Sequence, residues 1–101
     1  MTELKPELLA AVINHLDVDA GFVVYTRPNV PNTIIVPHIA DNLTEWHFTA
    51  ATGSTWQGAL RNPDGTYAGQ TLRTNVPSMS VDAGKIAIGI QAALNGEDTN
   101  D

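Results

Sequence analysis

The sequence predicts an α+β fold: a five-stranded antiparallel meander with an N-terminal and a C-terminal helix packed on one face, a two-layer sandwich. Three observations support this prediction. An apolar stripe at helical spacing lies near each end of the chain, apolar and polar residues alternate between them, and the tight-turn sequence Asn62-Pro63-Asp64-Gly65 interrupts that alternation. At 101 residues the chain is long enough for one such domain.

The first predicted helix covers residues 6–16. Proline suits its first position, because the N–H that Pro6 lacks would have no partner there. The apolar stripe at helical spacing comprises Leu9, Val12, Ile13 and Leu16. This pattern predicts one buried side.

Two short strands follow, at residues 22–26 and 33–36, because both segments are rich in β-branched and aromatic residues. The prolines and asparagines of residues 27–32 predict a loop between them. Pro37 shortens the second strand or places it at an edge, since proline cannot donate to a ladder. Both strands are apolar on both faces, which predicts that this end of the sheet is covered twice or meets a partner.

Residues 46–51 predict the third strand, with apolar side chains at alternate positions. The register that keeps one face apolar requires a three-residue loop at 52–54. This register pairs Ala50 with Trp56 and places Trp46 opposite Leu60. Both tryptophans then lie on one face, which needs a cover.

The central hairpin follows from Asn62-Pro63-Asp64-Gly65, which predicts a type I turn with a G1 bulge and Gly65 in the left-handed region. The turn pairs Asn62 with Thr66. The register predicted outward from it pairs Arg61 with Tyr67, Leu60 with Ala68, Ala59 with Gly69, Gly58 with Gln70, Gln57 with Thr71, Trp56 with Leu72 and Thr55 with Arg73. A one-residue slip would exchange the apolar and polar faces.

The second predicted helix covers residues 80–95, with Ser80 as its N-cap and Gly96 at its end. Its main apolar stripe comprises Ala83, Ile86, Ala87, Ile90, Ala93 and Leu94. A candidate self-association face on the other side comprises Val81, Gly84, Ile88 and Ala92, where Gly84 and Gly89 would let two backbones approach closely. A symmetric homodimer would bury this face. Alternatively, the first helix packs beside the second and hides Ile88 within one chain.

Charge and composition exclude several classes of protein. Residues 1–96 carry eight acids and five bases, giving −3, and three acids at 97–101 bring the net charge to −6. We therefore expect one domain at 1–96 and an acidic, disordered tail at 97–101. Five scattered basic residues predict no nucleic-acid partner. The absence of a signal core and of a long apolar run predicts no membrane partner and a cytoplasmic location.

No catalytic residue, cofactor or metal site is predicted. The histidines His38 and His47, even with Asp41 or Glu45, do not have the spacing of a zinc site. Cysteine is absent, and no serine lies in a glycine elbow. An enzyme is therefore the less favoured class.

The polar face of the hairpin is the candidate interaction face. It comprises Thr55, Gln57, Arg61, Tyr67, Thr71 and Arg73, joined by His47 and Thr49 from the preceding strand. Arginine and tyrosine are enriched in interface hot spots, although an antiparallel sheet ordinarily shows one polar face to water.

Two functional hypotheses follow from this face. The first is a small non-enzymatic protein-interaction module, an accessory, adaptor or inhibitor factor of the kind that bacterial and phage gene clusters encode. It would bind a protein partner through this face or through the second helix. The second is a domain that binds an anionic small molecule, or a small enzyme, using the same face or the loop of residues 27–32.

Overall fold

Five strands form one antiparallel sheet in the order β1-β2-β3-β4-β5, and two helices pack on it, in the computed structural model of the chain. The elements are α1 (Pro6–Asn14), which continues as a π-helical turn (His15–Asp19), β1 (Tyr25–Arg27), β2 (Val30–Pro37), β3 (Glu45–Ala50), β4 (Thr55–Arg61), β5 (Tyr67–Pro77) and α2 (Ala83–Thr99). The structure describes residues 6–19, 21–28, 30–38, 43–50 and 55–99. The predicted α+β fold is confirmed.

The core lies between the helices and one face of the sheet. Trp46, Phe48 and Trp56 provide its largest side chains and are 1%, 0% and 0% exposed. The helices cover them with apolar side chains, among which Val12, Leu16, Ile86, Ile90 and Leu94 are buried. The prediction that both tryptophans lie beneath the helices is confirmed.

The β3–β4 register matches the prediction. Ala50 pairs with Trp56, Phe48 with Gly58, and Trp46 with Leu60. A Cβ added to Gly58 would lie 2.6 Å from the ring of Phe48, so the ring occupies the space that a side chain at position 58 would need. The predicted loop at 52–54 lies outside the described residues.

The β4–β5 turn also forms as predicted. The N–H of Gly65 donates to the carbonyl of Asn62 (2.8 Å), the N–H of Asn62 donates to the carbonyl of Thr66 (2.8 Å), and φ of Gly65 is 91°. The carboxylate of Asp64 accepts from the N–H (2.9 Å) and hydroxyl (2.6 Å) of Thr66, and these bonds lower the pKa of Asp64. Local turn chemistry thus determines this corner of the sheet.

Replacing Gly65 with valine tests this turn. We expect Gly65→Val to lower the free energy of unfolding by about 1–2 kcal/mol, because a β-branched residue resists positive φ. No neighbouring atom would touch a side chain at Gly65, so the effect isolates backbone strain. Urea denaturation measures it, and an unchanged midpoint would contradict the turn.

Beyond the turn, the predicted β4–β5 register is wrong. Arg61 pairs with Tyr67 as predicted, but the next pair is Ala59 with Thr71. Between these two pairs the chain advances four residues along β5 and only two along β4. Gly69, at φ 92°, accommodates this bulge. The predicted pairs of Ala59 with Gly69, Gly58 with Gln70, Gln57 with Thr71 and Trp56 with Leu72 are replaced by Ala59 with Thr71, Gly58 with Leu72 and Gln57 with Arg73.

A second bulge near the end of β5 shifts the register by two residues again, so Thr55 pairs with Pro77 and not with Arg73. The hydroxyl of Thr74 satisfies backbone groups there. It donates to the carbonyl of Trp56 (2.9 Å) and accepts from the N–H of Val76 (3.2 Å). Each shift is an even number of residues, so the same side chains stay on each face.

The first two strands differ from their predicted bounds. β1 starts at Tyr25 rather than at residue 22, and β2 already begins at Val30 within the predicted loop. The β1–β2 pair contains a bulge, and Asn32 adopts φ 57°. Asparagine tolerates this left-handed conformation better than most residues, and it lets β2 pair on both sides of the irregularity.

The start and end of α2 also correct the prediction. Asp82, not Ser80, is the N-cap: its carboxylate accepts from the N–H of Lys85 at 3.2 Å, whereas the N–H of Ser80 closes a turn onto Pro77. The helix continues through Gly96 to Thr99, although the division into a domain at 1–96 and a tail at 97–101 stays a prediction.

One side of α2 is fixed tightly on β5. A Cβ at Gly89 would lie 2.3 Å from Cγ2 of Val76, so the predicted role of Gly89 in contact between two chains is wrong. Ile88, the neighbouring residue, is 67% exposed. Packing of α1 beside α2 therefore does not hide Ile88.

Candidate binding site on the open sheet face

The face of the sheet opposite the helices carries three cross-strand rows of side chains, and we call it the outer face. The rows, in register, are Pro37, Glu45, Arg61 and Tyr67; then Tyr25, Ile35, His47, Ala59 and Thr71; then Thr49, Gln57 and Arg73. No described helix packs on them.

Arginine and tyrosine side chains are concentrated on the outer face. All three arginines of the chain, Arg27, Arg61 and Arg73, and both tyrosines lie on its strands. The strand positions of the face carry one carboxylate, Glu45. In a chain of net charge −6, the outer face is therefore locally positive.

Glu45 is the centre of a hydrogen-bonded cluster. The guanidinium of Arg27 donates two hydrogen bonds to the Glu45 carboxylate, from Nη1 to Oε1 and from Nη2 to Oε2, both at 2.7 Å. The hydroxyl of Tyr25 donates to Glu45 and accepts from Arg27 (2.8 Å), and Nε2 of His47 lies 3.3 Å from Oε1. The guanidinium of Arg27 also lies 5.0 Å from the centre of the Tyr25 ring.

The cluster explains how this end of the sheet is covered on both faces. Ile35 lies on the outer face, in register with His47, and yet is completely buried (0% exposed). Tyr25 and Arg27 reach from β1 across β2 to Glu45 on β3, so their side chains cover Ile35.

The surroundings of Glu45 lower its pKa. Burial on its own raises the pKa, but the hydrogen bonds from Arg27, Tyr25 and His47 outweigh it and lower the pKa to about 2 from an ordinary 4.5. Burial of Tyr25 itself, together with its hydrogen bond to Glu45 and the Glu45 charge, raises the pKa of Tyr25. Glu45 is therefore ionised and Tyr25 neutral at neutral pH.

The depressed pKa predicts how stability depends on pH. Ionised Glu45 stabilises the folded state above pH 4.5, and this stabilisation is lost as pH falls from about 4.5 to about 2. Since the cluster is partly solvated, we expect Glu45→Gln to lower the free energy of unfolding by about 1 kcal/mol at pH 7. The difference should vanish near pH 2.

Urea denaturation of both chains between pH 7 and pH 2 measures this difference. Subtracting the two curves removes the titration of the other acids, which both chains share. A difference that stays constant down to pH 2 would show that Glu45 is not held by these charged hydrogen bonds.

Arg61 and Tyr67 form a second, separate unit of the outer face. The guanidinium carbon of Arg61 lies 5.9 Å from the centre of the Tyr67 ring, and the hydroxyl of Tyr67 is 3.0 Å from that of Thr71. The bond to Thr71 fixes the ring, and the ring supports the cation. Arg61 lies opposite Glu45 in register, but among the described residues neither Arg61 nor Arg73 forms an ion pair with a carboxylate.

Ala59 forms the floor of a shallow depression in the middle of the face. Its neighbours are His47 and Thr71 across the strands and Gln57 and Arg61 along β4. The depression has a volume of about 490 Å³ and is also lined by Val30, Thr33, Thr49 and Gly65. Its donors are an arginine, a histidine, an amide and hydroxyls.

The structure thus places the six predicted residues of the candidate interaction face on one face, though with different neighbours. Gln57 lies beside Arg73, and Thr55 lies beside Pro77 at the margin. Their role in binding stays a prediction. Sequence reasoning missed the grouping of Tyr25, Arg27 and Glu45, because their approach depends on the β1–β2 bulge.

The histidines have structural partners. Nδ1 of His38 lies 3.1 Å from the hydroxyl of Thr44, and the His38 ring meets Trp46 edge-on at 5.5 Å between centroids. Within the described ranges, no three histidine or acidic side chains are grouped as metal ligands. Asp41 lies outside those ranges.

Comparison with known proteins adds no relative. No protein-family model matches this chain, and no curated protein or solved structure matches it. None of the helices in the described part of the chain is both long and apolar enough to cross a membrane.

Proposed function

We propose that this protein is a small, non-enzymatic interaction module that binds an acidic surface of a protein partner through its outer face. The observation that carries the proposal is the placement of all three arginines of the chain on that face. Charge complementarity of this kind selects a partner and accelerates association.

The three arginines divide into two roles. Arg27 is neutralised by Glu45 and holds Tyr25 over Ile35, so it contributes to the framework. Arg61 and Arg73 lack a carboxylate partner among the described residues, and a partner's acidic side chains would supply one. Because their strands are fixed in the sheet, little ordering accompanies binding.

Tyr67 supplies the aromatic part of the surface. It is 53% exposed, its hydroxyl is fixed by Thr71, and its ring lies beneath Arg61. Tyrosine and arginine are enriched among the few residues that contribute most of the binding energy of an interface. We therefore place the energetic centre of the interface at Arg61 and Tyr67, next to the Ala59 depression.

Affinity capture from the producing cells tests the proposal with three baits: wild type, Arg61→Gln and Ala10→Glu. Both variants change the net charge from −6 to −7, but Ala10 is an exposed residue of α1. We expect wild type and Ala10→Glu to retain the same partner, and Arg61→Gln to retain it about tenfold less. Equal retention by Arg61→Gln would contradict the proposal.

The Ala59 depression favours a second candidate, an anionic small molecule bound, or acted on, at the same face. Arg61, His47 and Thr71 would hold a carboxylate or phosphate group there. Thermal melts with di- and tricarboxylates and inorganic phosphate test it. A melting temperature that rises in wild type but not in Arg61→Gln supports this candidate, and no rise with any anion excludes these ligands.

A further inference from the structure

A groove runs along one edge of the sheet, between β5 and α2. β5 is the last strand in the order β1-β2-β3-β4-β5, and within the described ranges it pairs with β4 alone. The groove has a volume of about 540 Å³ and is lined by residues 70–73 of β5, by Ala92, Ala93 and Gly96 of α2, and by Trp46. Consecutive side chains of a strand point to opposite faces, so a groove that touches four consecutive residues lies along the backbone edge of β5.

The hydrogen bonds of the hairpin show which backbone groups of β5 face this edge. The N–H of Asn62, directly after β4, and the carbonyl of Trp56, within β4, both bond toward the β5 side. Backbone groups alternate in direction along a strand, so those of Gly58 also point to β5. Leu72, which pairs with Gly58, points its own N–H and C=O back to β4. The residues on either side of Leu72 therefore direct theirs to the open edge.

We propose that the partner of the outer face adds an extended, acidic segment to the sheet as a new strand along β5. This inference rests on the proposed function and adds the form in which the partner presents its acids. Thr71 and Arg73, which are exposed, form the hydrogen bonds to the segment with their outward N–H and C=O groups. The bulges at Gly69 and Thr74 bound the regular stretch of β5, so the segment that pairs is short.

Charge favours an acidic segment over a second copy of this chain. Residues directly opposite each other in paired strands lie on the same face, so the residue across from Arg73 lies on the outer face. A carboxylate at that position pairs with Arg73, which forms no ion pair among the described residues. β5 itself carries no acid, so a second copy of it would offer Arg73 no carboxylate.

The alternate side chains of the added strand enter the groove, and they are apolar. Trp46, Leu72 and Ala93 provide the apolar part of the groove lining. The last turn of α2 carries Glu97 and Asp98 and the negative end of the helix dipole, so an acid on this side is disfavoured. The segment that fits the edge therefore alternates acidic and apolar residues.

Two variants at position 71 test the backbone contact. Thr71→Pro removes the N–H that faces the open edge and leaves the hydrogen bonds to β4 in place. Thr71→Val keeps this N–H and is the matched control, because both variants lose the hydroxyl that lies 3.0 Å from that of Tyr67. Circular dichroism establishes that each variant is folded before it is compared.

Titration of the isotope-labelled protein with the peptide Glu-Val-Glu-Leu-Glu-Val, followed by NMR, measures binding at the edge. We expect the amide signals of Thr71, Arg73 and residues 92–96 to shift, at peptide concentrations of roughly 0.1–1 mM. Thr71→Pro should bind about tenfold more weakly than Thr71→Val, the loss of one hydrogen bond. The peptide Lys-Val-Lys-Leu-Lys-Val should cause no such shifts.

Three results of this titration would overturn the proposal: no shift at the edge, equal binding of the acidic and the lysine peptide, or equal binding by the two folded variants. If Thr71→Pro does not fold, the wild-type shifts and the lysine peptide decide the matter.

Capture of the cellular partner with the same two variants separates this inference from the proposed function. We expect Thr71→Pro to retain the partner about tenfold less than Thr71→Val. Loss of the partner from Arg61→Gln, with equal retention by the two folded variants at position 71, would overturn the added strand and leave the proposed function standing. Full retention by Arg61→Gln would contradict the proposed function, and this inference with it.

Discussion

Trp56→Ala is expected to lower the free energy of unfolding by about 3–5 kcal/mol, the loss typical of a buried tryptophan. Trp56 is completely buried, pairs with Ala50 on β3 and lies beneath the helices. A domain of this size has about 5–15 kcal/mol in total, so a large part of its stability would be lost. Urea denaturation followed by circular dichroism measures the change.

Tyr67→Ala is the matched control for this prediction, because Tyr67 is an aromatic residue on the same hairpin but is 53% exposed. We expect it to lower the free energy of unfolding by about 1 kcal/mol or less, the contribution of an exposed cross-strand pair. Free quenching of both indoles by acrylamide in the wild type would show that the assignment of the buried face is wrong.

Gly89→Ala should destabilise the protein by about 2 kcal/mol, although alanine is the better helix former. The new methyl group would lie 2.3 Å from Cγ2 of Val76 and 3.4 Å from Cβ of Thr74, so either the Val76 side chain or α2 must move. We expect Val76→Ala to restore part of the loss in the double variant, because it removes the clashing atom.

Gly96→Ala, in the same helix, is expected to increase the stability of the protein. No atom lies within 4 Å of a Cβ added there, so alanine should raise the free energy of unfolding by about 0.5–1 kcal/mol. Stabilisation by both variants would mean that α2 does not lie against Val76 as described. Thermal and urea denaturation of five chains complete the test: wild type, Gly89→Ala, Val76→Ala, the double variant and Gly96→Ala.

The confirmed parts of the fold depend on local chemistry and on alternation. The turn is determined by the four residues from Asn62 to Gly65. The alternating apolar residues of β3 and β4 allow one register in which Trp46 and Trp56 lie on the same face of the sheet. The self-association face was predicted from the same reasoning, and the exposure of Ile88 now removes the alternative that α1 covers it.

The parts of the strand register that were predicted wrongly contain β-bulges. The alternation of apolar and polar residues gives no sign of where a bulge lies. The bulge at Gly69 has no turn sequence, and that at Thr74 is completed by contacts with Trp56 on another strand. The outer face kept its predicted members because both shifts are even. Asn32, by contrast, determines how β1 approaches β2, and the cluster around Glu45 could not be predicted without it.

Site-specific photo-cross-linking in the producing cells tests the central claim, that the outer face binds the partner, most directly. A benzoylphenylalanine replaces either Thr49 on the outer face or Val18 in the π-helical turn, both of which are exposed. We predict a discrete protein adduct from position 49 that is lost when Arg61→Gln is added, and no such adduct from position 18. An adduct from position 18 alone, or one from position 49 that is indifferent to Arg61→Gln, would contradict the account.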